Sequence, residues 1–279
     1  MDLPPIRNTD VPDEIYNGIS LRVFWYSIAF IKIQKKKDVE EPKIMGSGTL
    51  IKQKGFMGIL TADHVAKELR KLERVGFAVS EEDERFTIDQ NRLIIDTIAE
   101  FEPRRSGPDL AIIRLPESNL GYFKAKKIFY DLDRKRQEIL DPSFSMSAGM
   151  WCLQGCVDAL SKVVEIPERN KSTTIAQCNA YFCAAPDVSL ESTYDYLEFV
   201  AKYSEETITP ESFGGVSGGG VWRQLVTQTE DVVETKGPPL FLGVPFLQDY
   251  RDDTIIIRCH GPKSVYERVH DMIEKTYLS

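Results

Sequence analysis

Apolar positions along the chain fall mostly in short β-branched or alternating runs, separated by Gly, Pro, Asp and Asn. This is the pattern of half-buried strands joined by turns. Residues 1–18 are rich in Pro, Asp and Asn and read as an extended arm. Residues 21–33 are aromatic and β-branched and predict a strand. Residues 46–51 and 58–61 predict a hairpin with Gly55 near its tip. His64 opens a short helical stretch through Glu68 and Leu72. Residues 86–88, 92–98 and 110–115 are further strands and complete a first β unit of about six strands.

Residues 124–140 are charged, with Ile128, Leu132 and Ile139 at helical spacing, and predict a connecting helix. A second β unit follows, with strands at 146–153, 173–183, 194–203, 219–225, 240–247 and 254–259. Residues 262–277 predict an amphipathic helix with Val265, Val269, Met272 and Ile273 on one face. The expected fold is all-β: two packed six-stranded antiparallel β-barrels with a connecting helix and a C-terminal helix. The expected divisions are 1–18, 19–118, 119–145, 146–260 and 261–279. No sequence repeat links the two β units.

Composition narrows the function. The 279 residues suffice for one large β domain or two small ones. The net charge of −8 argues against a nucleic-acid partner, which needs a basic face to neutralise phosphates. Lys35-Lys36-Lys37 reads as a solvated turn. No apolar run reaches the roughly 18 residues that span a bilayer, so no membrane partner is expected. Met1-Asp2-Leu3-Pro4-Pro5 lacks the basic and apolar regions of a secretory signal. The five cysteines include no CxxC pair, which favours reduced thiols and a cytoplasmic location. Cys156, Cys178, Cys183 and His260 match no zinc spacing and read as buried groups, so neither metal nor cofactor is expected.

Candidate chemistry lies in three blocks: Leu60-Thr61-Ala62-Asp63-His64-Val65, Asp109-Leu110-Ala111-Ile112-Ile113-Arg114-Leu115, and Phe213-Gly214-Gly215-Val216-Ser217-Gly218-Gly219-Gly220. A serine hydroxyl needs a base to become a nucleophile, and imidazole suits that task near neutral pH. A carboxylate beside the imidazole fixes its tautomer. Taken singly, His64 reads as a helix-cap histidine, Asp109 as a turn carboxylate and Ser217 as a turn serine. The order His, Asp, glycine-flanked Ser makes them a candidate triad. The main-chain N–H groups of Gly215 and Ser217 are candidates for an oxyanion hole, because glycine allows the dihedrals that such a turn needs.

In these blocks, together with Gly46-Ser47-Gly48-Thr49-Leu50-Ile51, the chain resembles the trypsin-like serine peptidases of the chymotrypsin double-barrel class. The resemblance covers the layout of residues 20–275. It implies His64 as general base, Asp109 as its orienter and Ser217 as nucleophile, in a cleft between barrels. It implies a protein or peptide substrate, Glu211 and Ser212 at the base of the specificity pocket, and a preference for Lys or Arg. The resemblance also implies that Gly214 lines that pocket and that Phe246-Leu247-Gln248 is the strand that pairs with the substrate backbone. The chain is similar to standalone bacterial members, some of them found in antiphage operons, which implies a regulated effector. Three departures stand out. Val216 replaces the usual Asp or Asn before the nucleophile, which removes the partner of a cleaved N-terminus and suggests latency until a partner protein acts. Asp63 replaces Ala and adds a charge that competes for His64. Gly220 replaces Pro.

Other readings stay open. Gly215-Val216-Ser217-Gly218-Gly219 also fits the GxSxG elbow of an α/β-hydrolase, with Asp231, Asp249 or Asp253 and His260 completing a triad. The elbow should feed a helix, whereas three glycines follow here. A phosphate-binding loop lacks its lysine. A catalytically silent binding module of the trypsin-like fold has no need of all three residues.

Overall fold

The computed structural model describes residues 11–36, 39–79, 86–102, 106–158, 161–166, 171–175, 178–202, 212–228, 232–251 and 254–279. Helix α1 (Asp13–Phe24) leads into strands β1 (Ser27–Lys36), β2 (Val39–Gln53) and β3 (Phe56–Thr61). Then come α2 (Asp63–Leu69), β4 (Arg74–Ala78), β5 (Phe86–Asp89), β6 (Ile94–Ala99) and β7 (Leu110–Arg114). Helix α3 (Glu117–Lys126), strand β8 (Tyr130–Asp131) and helix α4 (Arg136–Leu140) form the connection. The second unit holds β9 (Met150–Cys156), β10 (Lys162–Ile166), β11 (Lys171–Ile175), β12 (Cys178–Cys183), β13 (Asp187–Glu191), β14 (Tyr194–Lys202), β15 (Gly220–Gln228), β16 (Val233–Arg251) and β17 (Thr254–His260). A π-helical stretch, Ser264–Val269, runs into α5 (His270–Tyr277).

The strands form the expected two packed antiparallel units. The first sheet has the order β5-β4-β1-β2-β3-β7-β6, with β8 added parallel to β2. It curls around its own interior: Ile28, Leu50, Ile59, Phe77, Ile88 and Ile113, from six of its strands, belong to one buried cluster. The second sheet has the order β12-β9-β15-β16-β17-β14-β13, and Leu153, Leu197, Val221, Leu242 and Ile257 share its core. Leu60 and Ile112 alternate with Ile59 and Ile113 and face that second core, so period-2 patterning on β3 and β7 welds the two units. Each such fully buried side chain contributes about 1.5–3 kcal/mol. A one-residue register slip would expose a whole row of them.

Several expectations are corrected. Residues 13–24 form a helix rather than the end of an arm and the start of a strand. Ile19 and Val23, one helical turn apart, are its buried positions, and Pro12 precedes its acidic first turn. The span 124–140 is not one helix. Phe129, Tyr130 and Leu132 are buried and Ile128 is exposed, so burial there does not follow a helical period. Among the described residues the two large sheets hold eight and seven strands rather than six each, and β10 and β11 form a separate pair. β13 gives no alternation signal because all five of its residues are exposed. β10, paired with β11, was also missed, as was β4, where Gly76 lies against the Ile31 carbonyl.

The reading of all cysteines as reduced is corrected as well. Cys156 and Cys178 stand opposite each other in the β9–β12 register and form a disulfide. Cys152, Cys183 and Cys259 are free. Cys183 sits at the far end of the same pairing, opposite Trp151, so the cysteines and His260 do not gather into one site. Among the described residues, no helix is long and apolar enough to cross a membrane.

Candidate active site

His64 is the second residue of α2, whose start follows β3 directly. Asp109 immediately precedes β7, which pairs with β3 from Gly58 to Thr61. Strand pairing therefore brings the two segments side by side. The Asp109 carboxylate is fully buried and takes two hydrogen bonds from His64. The main-chain N–H donates to Oδ1 at 2.9 Å and the ring Nδ1 lies 2.6 Å from Oδ2. With Nδ1–H directed at the carboxylate, Nε2 is left as the basic nitrogen. The His64 side chain is 31% exposed.

Asp63 does not compete for His64. Its buried carboxylate accepts from Thr97 Oγ1 at 2.6 Å and from the Phe101 N–H at 2.9 Å. Lys67 and Arg70 lie 3.2 and 3.7 Å away. Asp63 thus anchors the 97–101 segment and sets the Phe101 ring 5.4 Å from the His64 ring.

Two consecutive tight turns meet at Val216, and Ser217 lies in the second. The Val216 N–H donates to Phe213 O at 3.0 Å and the Gly219 N–H to Val216 O at 2.9 Å. Gly215 and Gly218 occupy the third position of each turn with φ of 96° and 85°, the geometry of type II turns, which favour glycine there. Val216 is buried in the second core, so apolar packing holds this turn. Among the described residues, neither the Gly215 nor the Ser217 N–H donates to an internal acceptor.

Ser47, on β2, joins this loop to the first unit. Its Oγ donates to Gly215 O at 2.6 Å and accepts from the Cys156 N–H at 2.9 Å. Its N–H donates to Ser217 O at 2.9 Å, and its carbonyl accepts from Thr61 Oγ1 at 2.8 Å. A Cβ on Gly218 would lie 3.0 Å from the Ala62 nitrogen, so the Ser217 turn packs against the segment that delivers His64. No hydrogen bond joins Ser217 Oγ to the His64 ring among the described residues. Such contacts are often long until substrate binds. Sequence reasoning missed Ser47 and Thr61 as supports. The serine between Gly46 and Gly48 was the available signal, since only a close approach explains glycine on both sides.

The remaining candidates are spread along the loop and β16. Glu211 lies outside the described residues. Ser212 Oγ accepts from the Gly214 N–H at 3.1 Å, and the Gly214 carbonyl accepts from the Asp158 N–H at 2.9 Å. Pro245 O accepts from the Gly218 N–H at 2.7 Å, tying the turn to β16. Beyond Gly243, β16 leaves β15 and pairs only with β17, so the other edge of Phe246, Leu247 and Gln248 carries no strand among the described residues. The Phe246 side chain is buried, and Gln248 Oε1 accepts from the Phe213 N–H at 2.8 Å.

The α/β-hydrolase alternative fails on this geometry. The segment after Ser217 enters an antiparallel strand, β15, rather than a helix. Asp249 pairs with Arg251 on the surface, and Asp231 and Asp253 lie outside the described residues. His260 is buried behind Asp109, whose N–H donates to its Nε2 at 3.0 Å.

Burial, aided by the Arg258 charge, pushes the His260 imidazole down from 6.5 to about 3. Between those values the unfolded chain binds a proton that the folded chain refuses. The stabilising contribution is therefore complete above pH 6.5 and is lost as pH falls towards 3, at about 1.4 kcal/mol per pH unit. Urea unfolding at pH 7 and pH 4.5 should show wild type losing up to about 3 kcal/mol more than His260→Gln. Equal losses would contradict the neutral assignment.

One group of possible metal ligands occurs among the described residues: His270, Asp271 and Glu274. Lys54 already pairs with Glu274, and His270 Nε2 lies 2.9 Å from Asp133 Oδ1. Glu274 and His270 Nε2 are thus already engaged by groups other than a metal.

No protein-family model and no curated protein matches the chain. Solved structures similar to the chain include these three. A scabies mite inactivated protease paralogue, S-I1, is 12% identical with a TM-score of 0.43, covering 92% of this chain and 98% of that one. A catalytically inactive tobacco etch virus protease complexed with substrate is 11% identical with a TM-score of 0.39, covering 92% and 86%. A chain from a structure on the folding and binding of the Sesbania mosaic virus VPg protein is 13% identical with a TM-score of 0.39, covering 95% and 94%.

Proposed function

We propose that this protein is a serine endopeptidase with the triad His64, Asp109 and Ser217. The observation that carries the reading is the double hydrogen bond from His64 to the buried Asp109 carboxylate. It favours the ring tautomer that leaves Nε2 basic, on a segment against which the Ser217 turn packs. In this mechanism His64 Nε2 takes the Ser217 hydroxyl proton as Oγ attacks the substrate carbonyl carbon. The Gly215 and Ser217 N–H groups receive the developing oxyanion. His64 then gives the proton to the leaving amine, and water, activated by the same nitrogen, releases the acyl group from Ser217. An extended substrate chain would lie along the unpaired edge of Phe246–Gln248.

The test is intact-mass analysis after treatment with a fluorophosphonate probe. Wild type should gain a single adduct that Ser217→Ala and His64→Ala both lack, and either change should cut peptide hydrolysis by about 10⁴-fold or more. The buried Val216 before the candidate nucleophile, with no hydrogen bond from Ser217 Oγ to the His64 ring among the described residues, favours a second reading, an enzyme latent until a partner tightens the loop. Labelling in cell lysate but not in purified protein would favour latency. No labelling in either would leave a silent binding module. The setting in phage defence follows from the sequence resemblance alone.

A further inference from the structure

Asp109 belongs to the first sheet, yet its main chain is held by a side chain of the second. The Asp109 N–H donates to Nε2 of His260 at 3.0 Å, and His260 closes β17. An imidazole nitrogen that accepts an N–H must be unprotonated, so His260 is neutral with its proton on Nδ1. Its surroundings keep it so. The rings of Phe246, Tyr196 and Tyr194 stand 4.8, 5.4 and 5.6 Å from the imidazole. The nearby cation, Arg258 on the same strand, is engaged by Glu191 and Glu198. Nδ1 has no hydrogen-bond partner among the described residues, where packing and the bond to Asp109 set the ring. The segment before Asp109 is seated on the same wall: a Cβ on Gly107 would lie 3.0 Å from the Tyr196 hydroxyl and 3.1 Å from the Phe246 ring.

Resting on the peptidase reading above, we propose that His260 is a positioning residue. Through Nε2 it docks the Asp109 main chain onto the second unit and so sets the Asp109 carboxylate against His64. Leucine at this position fills the space without an acceptor. Glutamine keeps a neutral acceptor oxygen. His260→Leu should lower kcat by roughly tenfold or more with KM within about twofold, since only the reacting geometry changes. It should also lose the strongly downfield proton signal of His64 Nδ1–H held to Asp109. His260→Gln should keep that signal and stay within about threefold of wild type in kcat.

Undiminished kcat and an unchanged proton signal in His260→Leu would overturn the proposal. So would a loss in His260→Gln as large as in His260→Leu, because that marks packing rather than the acceptor. Should neither variant fold, ¹⁵N-histidine spectra of wild type decide: an unprotonated His260 Nε2 at neutral pH supports the assignment and a protonated one refutes it. If wild type takes no fluorophosphonate in buffer or lysate, the peptidase reading fails, and the His64 proton signal alone decides the role of His260.

Discussion

Asp109→Asn is expected to lower kcat by about 10⁴-fold while leaving the fold intact. The two carboxylate oxygens accept two different donors of His64, the main-chain N–H and the ring Nδ1–H. Asparagine keeps one acceptor and replaces the other with an NH₂ group. Turned towards the main chain, that NH₂ meets the α2 amide donor to donor. Turned towards the ring, it forces Nδ1 to accept and moves the ring proton to Nε2. A protonated Nε2 cannot take the Ser217 proton. The backbone bond favours the second arrangement, because breaking it would leave a buried N–H unpaired at a cost of about 1–3 kcal/mol. Steady-state kinetics on a peptide substrate, with thermal unfolding as the control, measures the effect. A loss under tenfold with wild-type stability would remove Asp109 from the catalytic machinery.

Gly218→Ala is expected to lower stability by about 2–5 kcal/mol and the fluorophosphonate labelling rate by about 10²-fold. Two costs add. The residue sits at φ 85°, where a side chain costs about 1–2 kcal/mol. The new methyl would also collide with Thr61 Oγ1 and the Ser47 carbonyl, and would lie 3.0 Å from the Ala62 nitrogen. Relief can only come from pushing the Ser217 turn away from the segment that carries His64. Gly55→Ala is the control: nothing lies within 4 Å of its Cβ position, so a change of no more than about 0.5 kcal/mol is expected. Urea denaturation and labelling kinetics measure both variants. Equal behaviour of the two would mean that the Ser217 turn is not wedged between the units.

Much of this architecture is legible along the chain because strands announce themselves locally. Ile59 and Leu60, or Ile112 and Ile113, alternate between two interiors, and the turn residues between runs mark where strands end. Helix α1 was not legible. Its residues Val23 and Phe24 favour strands by type, and only the burial of Ile19 and Val23 on one side makes the helix worthwhile. The connection was misread for a related reason: β8 exists because β2 offers an edge to Tyr130 and Asp131, which no local pattern contains. The Cys156–Cys178 bridge depends on the β9–β12 register, a pairing across 22 positions that cysteine spacing does not encode.

The candidate site divides in the same way. The sequence by itself singled out the candidates for the proposed chemistry, since His, Asp and Ser flanked by glycines meet the demands of proton transfer, tautomer control and an exposed hydroxyl. It also determined the two β units, because period-2 burial is a local property. What only the tertiary structure decided is how those groups are held. Asp63 turns away from His64 because Thr97 and Phe101 offer it better partners. Ser47 ties the Ser217 loop to the first unit, and His260 grips Asp109 from the second. Each of these bonds joins residues 34 to 168 positions apart. Their partners are chosen by sheet order and register, which exist only once the chain has closed on itself.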